Sequence, residues 1–450
     1  MLASNHVDIL LVASDDSSKV LSSIAKQFDY SFQHLENIDA IIESVAQPNL
    51  LIISEFSNKE TSVDELLQLS RQQFPDAFLI LIIEKELTKE RFAFLGKLGA
   101  RLVMLKSEIN DAKLPFAINQ ILRANYVPIK TVELVAERII PFSIFHLMPS
   151  RNKFLPLLRA NDQISTERLA KFNASSELYI QRADSMSYKR FIEETSDKSA
   201  KGLAKRCRAN FTALQSEFTN LVFSLSDKSN KISFGEGQEL LNRCTSLCDD
   251  LLSNLAEFPR AWEIINGSSI GEFGSLERAP SIAAYSGVFA LQTDIEKVAE
   301  VMLVSLLVDL GMVIMPNTIS EKIRNGEKMT TKELEEFKQV PNRSIDIALS
   351  RKLSLSEKVR SILLTVYEQA DGKGYPNALS DQKLTKESQI IRFAKEFDAR
   401  TQVKMGELKT PPKEALTQIL EDPESKKIFT DGFLISLQDK LNNSDLFSEP

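Results

Sequence analysis

The sequence predicts a multidomain protein with an N-terminal parallel α/β sheet, a small mixed α/β or mainly β module, a helical hairpin and an all-helical C-terminal bundle. Three observations carry that reading. A chain of 450 residues exceeds one ordinary core, and at roughly 150 residues per domain it divides into about three. The hydrophobic period changes along the chain, from short apolar runs alternating with amphipathic stretches to a sustained three-and-four spacing. Composition is that of a globular protein: 43% hydrophobic and 26% charged residues, with 15 Gly and 16 Pro, exclude collagen-like and largely disordered classes.

Within residues 1–124, apolar strand-like runs at Val7–Val12, Leu50–Ile53, Phe78–Ile83 and Leu102–Leu105 alternate with helical runs at Val20–Phe28, Ile38–Ala46, Val63–Gln73, Lys89–Lys97 and Leu114–Leu122. That alternation means a parallel sheet. Runs such as LLII and FLILII suit strands covered on both faces, and four strand-like with five helical runs in about 120 residues approach the flavodoxin-like count of five and five.

Residues 125–186 change to short strand-like pieces (VPIKTVEL, SIFHLM, FLPLL, LYIQRA) separated by turn residues. His146, between Phe145 and Leu147, reads as a packed core-edge histidine rather than a ligand. Residues 187–264 read as a helical hairpin with apolar stripes at Phe211, Leu214, Phe218, Leu221 and Leu225, then at Leu240, Cys244, Leu247, Leu251 and Leu255. Such stripes pack against each other or a neighbouring domain, or build a four-helix dimer, so a homodimer stays open. The basic run Lys198, Lys201, Lys205, Arg206 and Arg208 lacks interleaved aromatics and reads as a solvated helix face. Residues 265–450 are helical by periodicity.

Charge narrows the partners. Fifty-five Lys and Arg against 62 Asp and Glu give a net charge of -7, which argues against nucleic acid or an anionic membrane as the general partner. Three cysteines (Cys207, Cys244, Cys248) make no disulfide framework, and Cys244 with Cys248 read as buried apolar thiols. The N-terminal stretch lacks a basic region followed by an unbroken apolar one, so a cytoplasmic location is expected. The longest apolar run, Val301 to Pro316, is shorter than the ~20 residues that span a bilayer and contains Asp309, so it predicts a core helix and no membrane span.

The N-terminal segment resembles the receiver domains of bacterial response regulators, with eroded chemistry. Receivers gather carboxylates at the ends of their first and third strands to hold Mg²⁺ and accept a phosphoryl group. Here the third strand ends in Ser54, the acidic pair expected after ILLV is Ala13-Ser14 with Asp15 and Asp16 displaced, and Glu55 lies one place past the phosphoacceptor position. Gly99-Ala100 and Lys106 keep the family's spacing, although the proline expected after the lysine is Ser107. The resemblance implies a pseudo-receiver with a degenerate phosphoacceptor position at Ser54 and Lys106.

The most informative local sequence is Asp371-Gly372-Lys373-Gly374-Tyr375-Pro376, which interrupts the helical pattern with turn residues. Here the chain resembles the HD-GYP family, bacterial phosphodiesterases that cleave cyclic diguanylate (cyclic di-GMP). DGKGYP is close to the family's hallmark loop, SLLVDLGMVIMPNTI to its HD segment, MTTKELEEFKQVPNRS to the following helix, and IIRFAKEFDART to a late FDA helix. The resemblance covers roughly residues 270–420 and implies an HD-domain-like helical bundle.

The family's reaction uses two or three metal ions, usually iron or manganese, held by imidazole and carboxylate groups. At the matching positions this chain has Val308, Val340, Val366 and Tyr367 for histidines, Arg278 for an early histidine and Lys395 for an acid. All three histidines, His6, His34 and His146, lie outside the region. Asp309, Glu368 and Asp398 match surviving ligand positions, and three carboxylates favour a hard ion such as Mg²⁺ or Ca²⁺ over iron. The expectation is that Arg278 and Lys395 point inward, that ion pairs and packing replace the cluster, and that the chain has no catalytic residues, metal or cofactor.

The resulting function is a catalytically inactive regulatory or scaffold protein in cyclic di-GMP or two-component signalling. It would bind other signalling proteins, diguanylate cyclases among them, through the loop Asp371 to Pro376. Two alternatives stay open. One is a non-hydrolysing sensor that binds cyclic di-GMP with Arg278, Lys373 or Lys395 as phosphate contacts. The other is a residual phosphodiesterase using carboxylate-bound metal.

Overall fold

The computed structural model describes residues 6–13, 17–28, 30–54, 62–74, 77–85, 87–88, 91, 94–95, 98, 100, 102–106, 118, 125–148, 153–172, 178–226, 236–258, 260, 275–315, 319, 322, 327–401, 410–444 and 446. The chain divides into two compact units, Met1–Phe191 with Asp227–Ile232, and Ile192–Ser226 with Ser233–Pro450.

The first unit opens with β1 (His6–Val12), α1 (Ser17–Phe28), β2 (Phe32–Leu35), α2 (Ile38–Glu43), β3 (Gln47–Ser54), α3 (Val63–Gln73), β4 (Phe78–Ile83) and β5 (Leu102–Leu105). All neighbouring pairs are parallel in the order β2-β1-β3-β4-β5, the flavodoxin-like winding. The strands are apolar throughout because alternate side chains feed two cores. Ile9, Leu11, Leu50, Ile52 and Ile80 face one core with Leu21 and Ile24 of α1. Leu10, Val12, Leu51, Ile53 and Leu81 face the other with Leu66 and Leu67 of α3.

The structure adds β2, which no apolar run marks: its four residues include Gln33 and His34, and it lies at the sheet border, where one side needs no partner. It also ends α2 at Glu43, short of the expected Ala46, because the Ser44 hydroxyl accepts the Ala46 N–H at 3.2 Å and supplies a local alternative to the next helical turn. The helices expected at 89–97 and 114–122 fall largely outside the described residues.

A second sheet of this unit has four antiparallel strands in the order β6-β11-β8-β9: β6 (Tyr126–Ile129), β8 (Ile144–Met148), β9 (Lys153–Leu158) and β11 (Leu178–Gln181). The short strands β7 (Arg138–Ile139) and β10 (Gln163–Ile164) pair beside it, and α4 (Thr166–Phe172) precedes β11. The module is therefore mixed α/β. Tyr126 stacks on Phe154 at 3.9 Å, with Phe145 and Tyr179 edge-on to that pair. Both border strands carry a proline, Pro128 in β6 and Pro156 in β9. The helix α5 (Ser185–Thr195) is tied to the module by the buried Tyr188 hydroxyl, which donates to Glu133 at 2.5 Å.

The second unit is helical among the described residues. The long pair α6 (Ala200–Ser226) and α7 (Glu236–Glu257) forms the expected hairpin, and its apolar stripes are buried within this unit. Then follow α8 (Ser275–Leu291), α9 (Val298–Leu307), a tight 3₁₀ stretch (Leu310–Ile314), α10 (Thr331–Phe337), α11 (Val340–Ser350), α12 (Glu357–Thr365), α13 (Lys386–Thr401), α14 (Pro412–Glu421), α15 (Ser425–Ile428) and α16 (Asp431–Asn442).

The central helix α8 packs on α9 and α13. Tyr285 and Phe289 of α8 meet Phe393 and Phe397 of α13 edge-to-face, with centroids 5.0 to 5.3 Å apart. The helix α9 is apolar nearly all round because it is enclosed on all sides. The run Val301–Pro316 is not one helix: α9 stops at Leu307, and the chain tightens after Asp309. Among the described residues no helix is long and apolar enough to cross a membrane.

Candidate functional site

The break after α9 creates the site. Asp309 sits at the head of the 3₁₀ stretch, and the turn is fastened from α11: the Ser344 hydroxyl donates to the Val308 carbonyl at 2.9 Å and accepts the Gly311 N–H at 2.7 Å. This holds the Asp309 carboxylate, only 3% exposed, toward α12 and α13. There it meets the Lys395 ammonium and the Tyr367 hydroxyl, which donates to Oδ1. A buried carboxylate needs such partners, since an unpaired one would protonate or destabilise the fold.

A second pair lies across α8 and α13. Arg278 donates from Nε to Asp398 Oδ2 at 2.9 Å and from Nη2 to Oδ1, a two-point fork between side chains 8% and 5% exposed. Burial raises the Asp398 carboxyl above its usual range, and the Arg278 guanidinium opposes that shift. Burial also acts against the Arg278 charge, but hydrogen bonding and attraction from Asp398 outweigh it and raise the guanidinium further.

Glu368 follows Tyr367 past the end of α12, a helix started by its Ser356 cap. Its carboxylate accepts the N–H groups of Asn377 at 2.6 Å and Leu379 at 2.8 Å, so both oxygens fasten the chain downstream of the loop. The loop is clamped elsewhere too. Tyr375 stacks on Tyr367 at 4.9 Å and touches Phe337 at 6.2 Å, while the N–H groups of Ala370 and Asp371 donate to the carbonyls of Ile428 and Lys427 at 3.0 Å.

Asp371 accepts the Lys373 N–H at 3.0 Å and lies 3.7 Å from the Lys373 ammonium, whose side chain is 80% exposed. Gly372 has φ of +74°, where a side chain would strain the turn. At Gly374 a Cβ would stand 2.3 Å from Glu368 Cα, so backbone runs against backbone.

The positions that match histidines in the resemblance are apolar or bulky in place. Val308, Val340 and Val366 are at most 1% exposed, and the Tyr367 ring is covered by the Arg392 guanidinium at 5.6 Å and the Lys395 ammonium at 5.1 Å. Burial first, and then the Asp309 charge, raise the Tyr367 hydroxyl well above its ordinary value, so it stays a donor. Among the described residues no three His, Cys, Asp or Glu side chains gather as metal ligands. The donor set does not fit an iron or manganese cluster: two carboxylates are engaged by cations of the chain and the third by backbone amides.

The structure thus brings Asp309, Lys395 and Tyr367 together, pairs Arg278 with Asp398, and gives Glu368 to the loop. Tyr367 as the hydroxyl partner of Asp309 was not legible. The signal available was a phenol at a ligand position one residue before a surviving acid.

In the first unit, Ser54 ends β3 at 1% exposure, Lys106 lies 3.6 Å from Glu84, and the His34 ring nitrogen Nε2 bonds the Ala13 carbonyl at 2.7 Å. Asp15, Asp16 and Glu55 lie outside the described residues. His146 sits in β8 with Nδ1 buried and without a hydrogen bond among the described residues.

Comparison with known proteins places the C-terminal helices. Residues 263–428 match the HD domain family. The cyclic di-GMP phosphodiesterase PdeB of Borreliella burgdorferi is 38% identical over 103 residues, 23% of this chain and 26% of that protein. The chain therefore spans about a quarter of the length of that curated relative. A solved structure of Bd1817, an HDG"Y"P protein from Bdellovibrio bacteriovorus, aligns over 70% of this chain and 99% of its own at 17% identity, with a TM-score of 0.45. The family match thus falls on the part of the second unit that carries α8 to α15.

Proposed function

We propose that the region matching the HD domain family is an HD domain that serves cyclic di-GMP or two-component signalling without turning over substrate, and that it regulates other signalling proteins by contact through the loop Asp371–Pro376. One observation carries the reading: every carboxylate at a matching ligand position is already committed, Asp309 to Lys395 and Tyr367, Asp398 to Arg278, Glu368 to Asn377 and Leu379. A hydrolytic metal would have to displace these partners and then sit against Val308, Val340 and Val366, which offer no donors.

The loop supports the docking half of the proposal. It is held by Glu368, by the Tyr367 ring and by the carbonyls near Ile428, yet it exposes Lys373. A contact presented in a fixed shape loses little entropy on binding. The receiver-like sheet of the first unit belongs to the same proposal, as a docking or dimerising domain.

The test combines two measurements on the full chain purified without chelator: metal content, and loss of cyclic di-GMP. No stoichiometric iron or manganese and no product is the expected result. Cleavage that disappears in Asp309→Ala and Glu368→Ala overturns it in favour of a phosphodiesterase. Calorimetric heat from cyclic di-GMP without product replaces the scaffold with a sensor.

A further inference from the structure

The chain that leaves the loop Asp371–Pro376 carries strain. Ala378 stands at φ of +54° and Asp381 at +40°. Left-handed backbone suits an aspartate but is uncommon for alanine, and it persists only where the surroundings impose it. Ala378 is exposed, so its own methyl is not what imposes it.

The carboxylate beneath does. The N–H groups on either side of Ala378 converge on Glu368: Oε1 accepts that of Asn377 at 2.6 Å and Oε2 that of Leu379 at 2.8 Å. Amides two residues apart meet one anion when the residue between them turns left-handed, so Asn377–Leu379 is a small anion cradle filled by a side chain of the same chain. Glu368 is 3% exposed, and a carboxylate that buried is costly without its donors.

The same residue meets the first half of the loop. A Cβ at Gly374 would stand 2.3 Å from Glu368 Cα, and one at Gly372 would stand 3.4 Å from Ser380 Cβ. Residues 377–380 therefore fold back over Gly372, while Gly374 lies against the Glu368 backbone. Glu368 touches one half with its main chain and grips the other with its carboxylate, which joins the two.

We infer that residues 377–380 are a strap that controls the loop. Closed, the strap is gripped by Glu368 and strained at Ala378, and the loop keeps its shape. Open, Ala378 relaxes to negative φ, and Lys373 to Pro376 come free with it. The strain lowers the cost of opening, which makes this loop a locally unstable part of a well-packed bundle. Use of the opening in docking rests on the reading of the loop as a contact surface, whereas the strap itself is tested without it.

Trypsin acting on the full chain under native conditions provides that test. Cleavage after Lys373 requires Gly374 to leave Glu368 and the chain to extend, so its rate follows the open population. Substitutions at the exposed position 378 act through φ: Ala378→Gly slows this cleavage at least about twofold, and Ala378→Val speeds it at least about threefold. Glu368→Gln keeps one acceptor, turns an amide group to the other N–H, and speeds cleavage at least about tenfold. Low concentrations of urea separate opening from unfolding. Cleavage after Lys373 hardly responds to urea, because a strap exposes little surface, whereas cleavage after Lys395, inside α13, rises with it. Equal rates for glycine, alanine and valine at position 378, an unchanged rate in Glu368→Gln, or a urea response at Lys373 as steep as that at Lys395 overturns the inference.

Discussion

Replacing Lys395 by Met isolates the interaction on which the Asp309 region rests. The substitution keeps most of the side-chain volume and removes the ammonium from a carboxylate whose side chain is 4% exposed. The Tyr367 hydroxyl remains, but one neutral donor does not balance a buried charge, and breaking a buried pair on one side costs about 3–5 kcal/mol. Asp309→Asn is milder, about 1–2 kcal/mol: the Lys395 side chain, 15% exposed, can turn its ammonium to water, and the amide oxygen still accepts from Tyr367.

With both changes there is no charge to strand, so the double variant falls within about 1 kcal/mol of the milder single variant, a coupling of at least about 2 kcal/mol. Urea unfolding of the four proteins, followed by far-ultraviolet circular dichroism, measures the cycle. A Lys395→Met cost below about 1 kcal/mol, or additivity of the two changes, refutes the account of Asp309 as a carboxylate neutralised by the chain's own lysine.

Gly374→Ala brings a methyl into the Glu368 backbone and lowers stability by about 1–3 kcal/mol in thermal melts, whereas Gly432→Ala, facing open space, does not. The thiols of Cys207 and Cys244 are pushed up to about 12 by burial, and that of Cys248 is raised as well. A thiol-disulfide reagent at pH 8 therefore finds no reactive cysteine in the folded protein and all three in urea. In the capping box of α10, the Lys322 ammonium and then the Thr330 backbone and hydroxyl donors hold Glu333 down at about 2 from an ordinary 4.5. A depressed carboxylate supports the fold fully above its unfolded value. The stability gap between the protein and Glu333→Gln is therefore constant above about pH 4.5 and shrinks as pH falls toward 2, read by urea unfolding across that range.

Much of this arrangement was written in local chemistry. The parallel sheet followed from runs such as LLII, because a strand covered on both faces has no polar alternation to hide it. Arg278 and Lys395 were legible as inward cations because they stand where a resemblance places ligands beside Asp309 and Asp398. Which cation meets which acid was not, since that depends on the rotation of α13 against α8 and α9, which no spacing encodes. Strand β2 escaped for the opposite reason: a short border strand with Gln33 and His34 has no pattern to read. A pocket lined by Thr293, Gln389 and Gly432 in the second unit was invisible because these residues come from three distant segments, and only folding makes them neighbours.

The prolines bordering the four-stranded sheet limit how that module can meet anything else. A ring nitrogen has no hydrogen to give, and it is tolerated in a strand where it faces away from the adjoining one, so Pro128 and Pro156 interrupt the outward rows of amides on both margins. Stacking of copies margin to margin, and capture of an extended peptide as a fifth strand, are thereby disfavoured. Whatever the module recognises must be met by its flat sides or its turns, and it can stand crowded among identical neighbours without zipping to them.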